Sequence, residues 1–478
     1  MVEYYNEIFG AKGAVRPHYA EIYAHWETLS KSQRQSLQQH SLQHHSGDYA
    51  QDPLPRILTS AEAFSLRAGT EQRARAILAF LFDYSIKGHR WRKVMPAYII
   101  KSIIARHHST NFLAELNPET IAFPYGPDII RDRFGEWRVV EDSGGYIGGM
   151  GDLLRNRKTL FKLVPEFRSS LRKIDDPNDF FKELADYYKI RAARNNGIAL
   201  LFLSDFENEP DQETRNLAQK FNRLGIEVTN YSNRRKKLIT EKNEIFLVTP
   251  QKKQKVGALI LRAPPEHLEM QSLRILLQQY RNGNYKDMNF REEFSYHSFK
   301  NIIKDGTLWT NFSPGVQFVN DKIFGLYIDS MIRHFLHEDP ILKTISAKPF
   351  GLRQSAGNWK INQKLLRTVR QDMDRFVIKK VDIDGGEGVW IGPKESKRTL
   401  EELIPKVRLN PEKYIVQDFE HLSVLENKIV DLRMHAHVDH EKIIVSNTPW
   451  GRANWIKGDG KVNISTNGFT SPVVVLKH

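Results

Sequence analysis

The sequence predicts an α+β fold: a helical N-terminal region, two separated sets of paired strands, and an α/β unit inserted between them. Three observations carry this expectation. Apolar stretches at helical spacing dominate residues 1–120. In residues 176–330, strand, helix and strand alternate in the rhythm of a small parallel sheet with crossover helices. Residues 331–478 change to a helix and several hairpin-like strands, which leaves 121–175 as a region of its own.

In the first region, Ala76–Asp83 and Tyr98–Ala105 space their apolar residues as helices do. The Gln/His-rich piece Gln33–His45 holds His40, His44 and His45 without carboxylate or cysteine companions at ligand spacing, so it reads as a polar helix end or loop. The second region opens with a hairpin running from Asp128 to Ser143, in which Phe134-Gly135 separates two strand-like runs and sets Ile129 against Val139. In the third, Gly197–Leu203 reads as a buried strand. A helix follows with Leu217, Phe221 and Leu224 on one face and Gly225 at its end, then strands at Ile226–Val228 and Val256–Leu261. No G-x-G-x-x-G follows the first of these strands, so the unit is not a dinucleotide site by fingerprint. In the fourth, the strand Val377-Ile-Lys379 enters a turn with Gly385, Gly386, Gly388 and Gly392, and strands follow at Tyr414–Phe419 and Val430–Val438.

The chain has 478 residues, enough for about two to four domains. Its 40% hydrophobic and 11% aromatic content fits a folded protein. A net charge of +14 favours anionic partners such as nucleotides, acidic peptides or nucleic acid. The basic clusters Arg234–Lys237 and Lys252–Lys255 read as solvated turns, and no helix-turn-helix, zinc-finger or RNA-binding phrase is present, so nucleic acid is not the expected partner. No apolar run reaches the length of about 18 residues that a membrane span needs. The first residues lack a signal-peptide pattern, and a chain without cysteine has neither disulfides nor a thiol nucleophile, so the expected location is cytoplasmic.

The chemistry sits in two motifs. Antiparallel pairing brings Asp128 and Glu141, at opposite ends of the hairpin, to one edge, and Ser143 shares the strand face of Glu141. Magnesium takes hard oxygen ligands and is commonly shared between one or two carboxylates and substrate phosphates. An amphipathic hairpin with charged ends is the other reading of the same residues. In the second motif, Gly385, Gly386, Gly388 and Gly392 let backbone N–H groups approach an anion, and Lys379 can place an ammonium on the same phosphates. The spacing matches neither the P-loop nor the Rossmann phrase, and a plain tight turn is the alternative. Asp431, Arg433, His435 and His437 alternate onto one strand face, and Asp439-His440-Glu-Lys reads as a turn, which makes a zinc role for these histidines the weaker reading.

The order V-I-K, G-G-x-G, I-V-Q-D-F, D-L-R, G-R-A and N-x-x-x-N-G in the second half resembles the first part of an ATP-grasp ligase. The carboxylate hairpin that normally follows stands near residue 128 instead. That order is similar to the circularly permuted ATP-grasp family, which includes glutathionylspermidine-synthase-like proteins. Arg16-Pro-His-Tyr19, Leu154-Arg-Asn-Arg157 and Asn320-Asp-Lys322 agree with it, so the resemblance spans nearly the whole chain.

The resemblance implies a permuted ATP-grasp fold whose metal-ligand half is 121–175 and whose phosphate and adenine half is 331–478, with 176–330 as a substrate-side domain. Lys379, Gly385, Gly386, Gly388 and Asn467 would bind the nucleotide, with Gln417, Asp418 and Phe419 at the adenine hinge. Asp128, Glu141 and position 143 would bind magnesium. Arg433, Arg452 and Asn463 would face the transferring phosphoryl group or the acyl intermediate. The implied activity is an ATP- and Mg2+-dependent carboxylate–amine ligase acting on small-molecule or peptide substrates. Arg262, at the end of a strand, suggests an anionic acceptor. Two departures from the family pattern, Ser143 for the usual asparagine and Arg155 for the acid of L-E-N-R, keep a catalytically impaired nucleotide-binding scaffold as the alternative.

Overall fold

The structure, a computed structural model, describes residues 4–42, 50–107, 113, 115–171, 173–203, 211–230, 233, 235–268, 294, 296–353, 358–383, 386–464 and 467–477. The N-terminal region is helical as expected. Helix α1, Ser60–Ser85, starts at a reciprocal cap: the Thr59 hydroxyl accepts from the Glu62 N–H at 3.2 Å, and the Glu62 carboxylate accepts from the Thr59 N–H at 2.9 Å. Leu66, Ile77, Phe80 and Leu81 are buried along it. A further helix occupies Ala97–Arg106. In the Gln/His-rich piece, Lys31–Leu42 is helical, while the His40 side chain, His44 and His45 lie outside the described residues.

The hairpin forms in the expected register. Strand β1, Ala122–Arg131, pairs antiparallel with β2, Trp137–Ser143, matching Gly126 with Ser143, Asp128 with Glu141 and Ile129 with Val139. At its tip the Gly135 N–H donates to the Asp132 carbonyl at 2.9 Å, and Gly135 supplies the positive φ of +88° that the turn requires.

Helix α2, Asp152–Leu163, and helix α3, Pro177–Arg194, lead into the α/β unit. Its strand β3, Ile198–Leu203, is followed by helix α4, Gln212–Arg223, and lies parallel to both β4, Glu227–Asn230, and β5, Lys253–Leu261. Leu217 and Phe221 of α4 are buried, and Gly225 ends the turn after it at φ +82°. A Cβ on Gly257 would lie 2.2 Å from the Ala192 carbonyl oxygen, so glycine lets α3 seat directly on β5. An antiparallel hairpin, Lys237–Glu241 with Glu244–Val248, widens the sheet beyond the strand–helix–strand expectation.

Two sheets remain. In the smaller, β6, Phe376–Lys380, lies between β7, Val389–Ile391, and β8, Tyr414–Asp418, with Ala347–Pro349 on the far side of β8. The larger joins the two ends of the chain. Its order is Lys343–Thr344, β2, β1, then β9, Lys428–Arg433, β10, Trp450–Trp455, and β11, Phe469–Ser471. At the seam, β9 runs antiparallel to β1 and matches Leu432 with Ile129 and Arg433 with Asp128. The early hairpin and the late strands are therefore neighbours in one sheet, and Ile129, Val139 and Leu432 share a core beneath it.

From α1, the buried Arg73 ties this sheet together. Its guanidinium donates to both Asp142 oxygens at 2.9 and 2.6 Å and to the Leu342 carbonyl at 3.0 Å. Asp142 points away from Glu141 along β2, so this ion pair anchors the hairpin from behind while Glu141 faces forward. Among the described residues, no helix is long and apolar enough to cross a membrane.

Candidate active site

Residues of both sheets line one cavity of about 550 Å³. Asp128, Glu141, Ser143, Asp431, Arg433 and Arg452 reach it from the larger sheet; Lys379 and Gln417 reach it from the smaller. Backbone contacts close the gap between the sheets: the Lys379 ammonium and the Gln417 amide both donate to the Val140 carbonyl, at 3.3 and 3.1 Å.

The carboxylate side is held by arginine. Arg433 grips Asp128 with two hydrogen bonds, Nε to Oδ1 at 2.6 Å and Nη2 to Oδ2 at 2.9 Å. Arg452 lies 2.8 Å from Asp128 Oδ2 and donates to Asp431 at 3.0 Å through Nε. Burial by itself raises the Asp128 carboxyl, but the two guanidiniums outweigh it and hold the group well below the usual carboxylate range. Asp128 is therefore a carboxylate at any physiological pH.

Lys379 shows the opposite balance. Burial lowers its ammonium to about 8, with Lys322 pushing the same way, against the attraction of Glu141 and Asp128. Lys322 is the residue that sequence reasoning missed. It begins the short helix Lys322–Gly325, lies 3.1 Å from Glu141 Oε1 and donates to the Ile383 carbonyl at 2.6 Å. Its phrase Asn320-Asp-Lys322 was legible, but nothing in one dimension paired it with Glu141.

The glycine-rich turn is built of tight backbone. Gly386 and Gly388 have φ of +79° and +65°, and Gly388 accepts from the Lys380 N–H at 2.8 Å. Gly386 lines the cavity, Gly388 shapes the turn behind it, and Gly385 lies outside the described residues. Gly392 serves packing: a Cβ there would fall 1.8 Å from the Met373 carbonyl oxygen. Asp418 and Phe419 line the cavity beside Gln417, yet their N–H groups donate inside the protein, to the carbonyls of Ser346 and Arg375, both at 2.8 Å. Val140, Val377, Ile345 and Leu422 add an apolar wall next to them. Asn463 also lines the cavity.

Several expected residues lie elsewhere. Asn467 is exposed and outside the cavity lining, with φ +73°, so its position serves a turn. The alternating face from Asp431 to His437 breaks after Arg433, where β9 ends. His435 is fully buried, its Nε2 is 3.1 Å from the Gly148 carbonyl, and burial drives its imidazole down to about 3. His437 packs against Tyr187, Tyr188 and Trp309 and pairs with Asp439 at 3.3 Å. Asp439 accepts from the N–H groups of Glu441 and Lys442, the expected turn. Arg262 is an internal clamp and not an open anion receptor: it ion-pairs with Glu213 and donates to the Ile147 carbonyl at 2.7 Å. Arg155, in place of the family's acid, pairs with Asp152 at 3.1 Å.

Comparison with known proteins agrees with this architecture. Uncharacterized proteins of Mycobacterium tuberculosis and Mycobacterium bovis are 24% identical over 497 residues, covering 99% of this chain and 84% of theirs. A protein of Frankia casuarinae, provisionally named glutamate–cysteine ligase 2-2, is 22% identical over 467 residues, covering 92% of this chain but 50% of that protein. The solved structure of a glutathione synthetase-like effector from Globodera pallida superposes with a TM-score of 0.54 at 13% identity, covering 93% of this chain and 96% of that one, which speaks for the fold. Residues 55–452 match the family described as circularly permuted ATP-grasp type 2, and the chain belongs to that family.

Proposed function

We propose that this protein is an ATP-dependent carboxylate–amine ligase that forms an amide bond through an acyl phosphate and releases ADP and phosphate. The observation that carries this reading is the meeting of Asp128 and Glu141 with Lys379 on one cavity, although the chain separates them widely. The residues fit the groups the reaction needs. Asp128, Glu141 and the Ser143 hydroxyl give hard oxygen donors on one side of that cavity. Among the described residues no group of three or more His, Cys, Asp or Glu is placed to hold a metal ion, so phosphate and water would have to complete the coordination. Magnesium, when bound, neutralises phosphate charge as it moves in the transfer.

The protein's own part is positioning and charge. Lys379 and Lys322 bring ammonium groups to the polyphosphate, and the Gly386 turn covers it with backbone. Gln417, Asp418 and Phe419, beside the apolar wall, receive the base. A substrate carboxylate oxygen attacks the γ-phosphorus, the bond to the bridging oxygen breaks, and ADP leaves. The amine nitrogen then attacks the acyl carbon, expels phosphate and loses a proton. Arg433, Arg452 and Asn463 face the developing negative charge. The provisional name of the Frankia relative, glutamate–cysteine ligase, belongs to the same class of carboxylate–amine joining, although the match spans half of that protein.

The test is ADP formation with Mg-ATP and a panel of amino acids, peptides and polyamines. Glu141→Ala is expected to abolish turnover with the fold intact by circular dichroism. Turnover at the parent rate in that variant would overturn the metal assignment. A second reading, a nucleotide-binding scaffold without turnover, is favoured by Ser143 at the third ligand position and by the arginine pair already on Asp128. Nucleotide binding by calorimetry with no ADP release across the panel, and none on restoring asparagine with Ser143→Asn, would favour it.

A further inference from the structure

The loop between β10 and β11 brings a lysine to the cavity beside the glycine turn. Lys461 lines the cavity, and its ammonium donates to the Gly386 carbonyl at 3.2 Å. The loop is firmly set. Asn454 Nδ2 donates to the Lys461 carbonyl at 2.6 Å, and Asp459 Oδ1 accepts from the Lys461 N–H at 3.0 Å. Gly460, at φ +82°, leaves a Cβ position 3.0 Å from Ile391 Cδ1, so the loop rests directly on β7. A second lysine ties the same two elements from the other direction: Lys394 Nζ donates to the Ile456 carbonyl at 2.9 Å, on the exposed side.

The partners of the cavity's cations set Lys461 apart. Lys322 lies on Glu141, and Arg433 and Arg452 lie on Asp128 and Asp431. Lys379, whose acceptor is also a neutral carbonyl, that of Val140, is buried and feels the charges of Glu141 and Asp128. Lys461 is half-buried, and its hydrogen-bond acceptor there is a neutral carbonyl. A phosphate oxygen is a stronger acceptor for an ammonium than a carbonyl is, because both partners then carry charge.

We propose that Lys461 is a nucleotide phosphate-binding residue: with nucleotide bound, its ammonium leaves the Gly386 carbonyl for an oxygen of the polyphosphate and holds the C-terminal loop and the glycine turn together over it. The inference rests on the nucleotide reading above and adds a contact from a loop outside both motifs. Lys394 provides the control, since it staples the same loop without lining the cavity.

The experiment is calorimetric binding of Mg-AMPPNP and of adenosine to the full chain, its Lys461→Gln variant and its Lys394→Gln variant. Lys461→Gln is expected to weaken Mg-AMPPNP by about 10-fold or more, the size of one lost charge-assisted contact, and to leave adenosine unchanged. Lys394→Gln is expected to bind both as the parent does. Parent-like Mg-AMPPNP affinity in Lys461→Gln, or equal losses in both variants, overturns the inference while the nucleotide reading stands. A parent chain that binds no Mg-AMPPNP overturns the nucleotide reading and this inference with it.

Discussion

Arg433 and Asp128, 305 residues apart, are direct partners on adjacent strands and share two hydrogen bonds of 2.6 and 2.9 Å. This pair closes the permuted fold: one residue comes from the early hairpin and the other from the late strand. It also joins the proposed metal side of the cavity to the proposed phosphoryl side. Fold and chemistry share one contact.

The pair therefore has a stability consequence. Both side chains are largely buried, so Asp128→Ala leaves Arg433 without its carboxylate while Arg452 keeps Asp431. Breaking a buried ion pair from one side costs on the order of 3 kcal/mol, because the remaining charge is desolvated and unpaired. Urea unfolding should show a loss of that size in Asp128→Ala and a partial recovery in the double variant Asp128→Leu with Arg433→Met. No recovery in the double variant would mean that the carboxylate serves mainly Arg452.

A second expectation concerns nucleotide affinity and pH. The Lys379 ammonium is lowered to about 8 by burial, so it begins to lose its proton within the working range. The protonated form is the one that attracts phosphate. ATP affinity at constant magnesium should therefore fall as pH rises through about 8, and Lys379→Arg, which stays charged, should flatten the fall. A parent profile that stays level from pH 7 to about 9 would remove Lys379 from the phosphate contacts.

How much of this was legible in the sequence depended on how local each signal was. The Asp128–Glu141 register could be read because a hairpin fixes its own pairing through a short turn, and the structure keeps it. The strand–helix–strand rhythm of the α/β unit could be read because Gly225 and the apolar faces punctuate it, whereas the added hairpin Lys237–Val248 was not signalled. Lys322 could not be assigned a role, because its acceptors, Glu141 and the Ile383 carbonyl, come from two distant segments. Arg262 was misread for the same reason: a cation at a strand end resembles an anion receptor until α4 supplies Glu213. Asn467 sat in a suggestive phrase, but its positive φ places it in a turn. Motif order revealed the permutation, whereas charge pairing across the cavity required three dimensions.

The last expectation concerns Asp152, at the start of α2, which feels the charge of Glu213 in the cavity lining. It is fully buried, and burial, reinforced by Glu213 and Asp211 against Arg155 and Arg262, raises its carboxyl from 3.8 to about 7. A carboxyl whose value is raised in the folded state binds its proton more tightly there than in the unfolded chain. Its contribution is thus favourable below about 4, and it is lost progressively as pH climbs through about 7. Unfolding free energy measured in urea should accordingly decline over that interval, apart from the effects of other groups, and Asp152→Asn should remove that share of the slope. Asparagine keeps the shape and no longer ionises, so the variant should gain on the parent most at the alkaline end. If the two pH profiles ran parallel from 4 to 8, the pairing of Asp152 with Arg155 would be keeping the carboxylate charged in the folded protein, and the α2–α4 contact would carry its full complement of ion pairs at neutral pH.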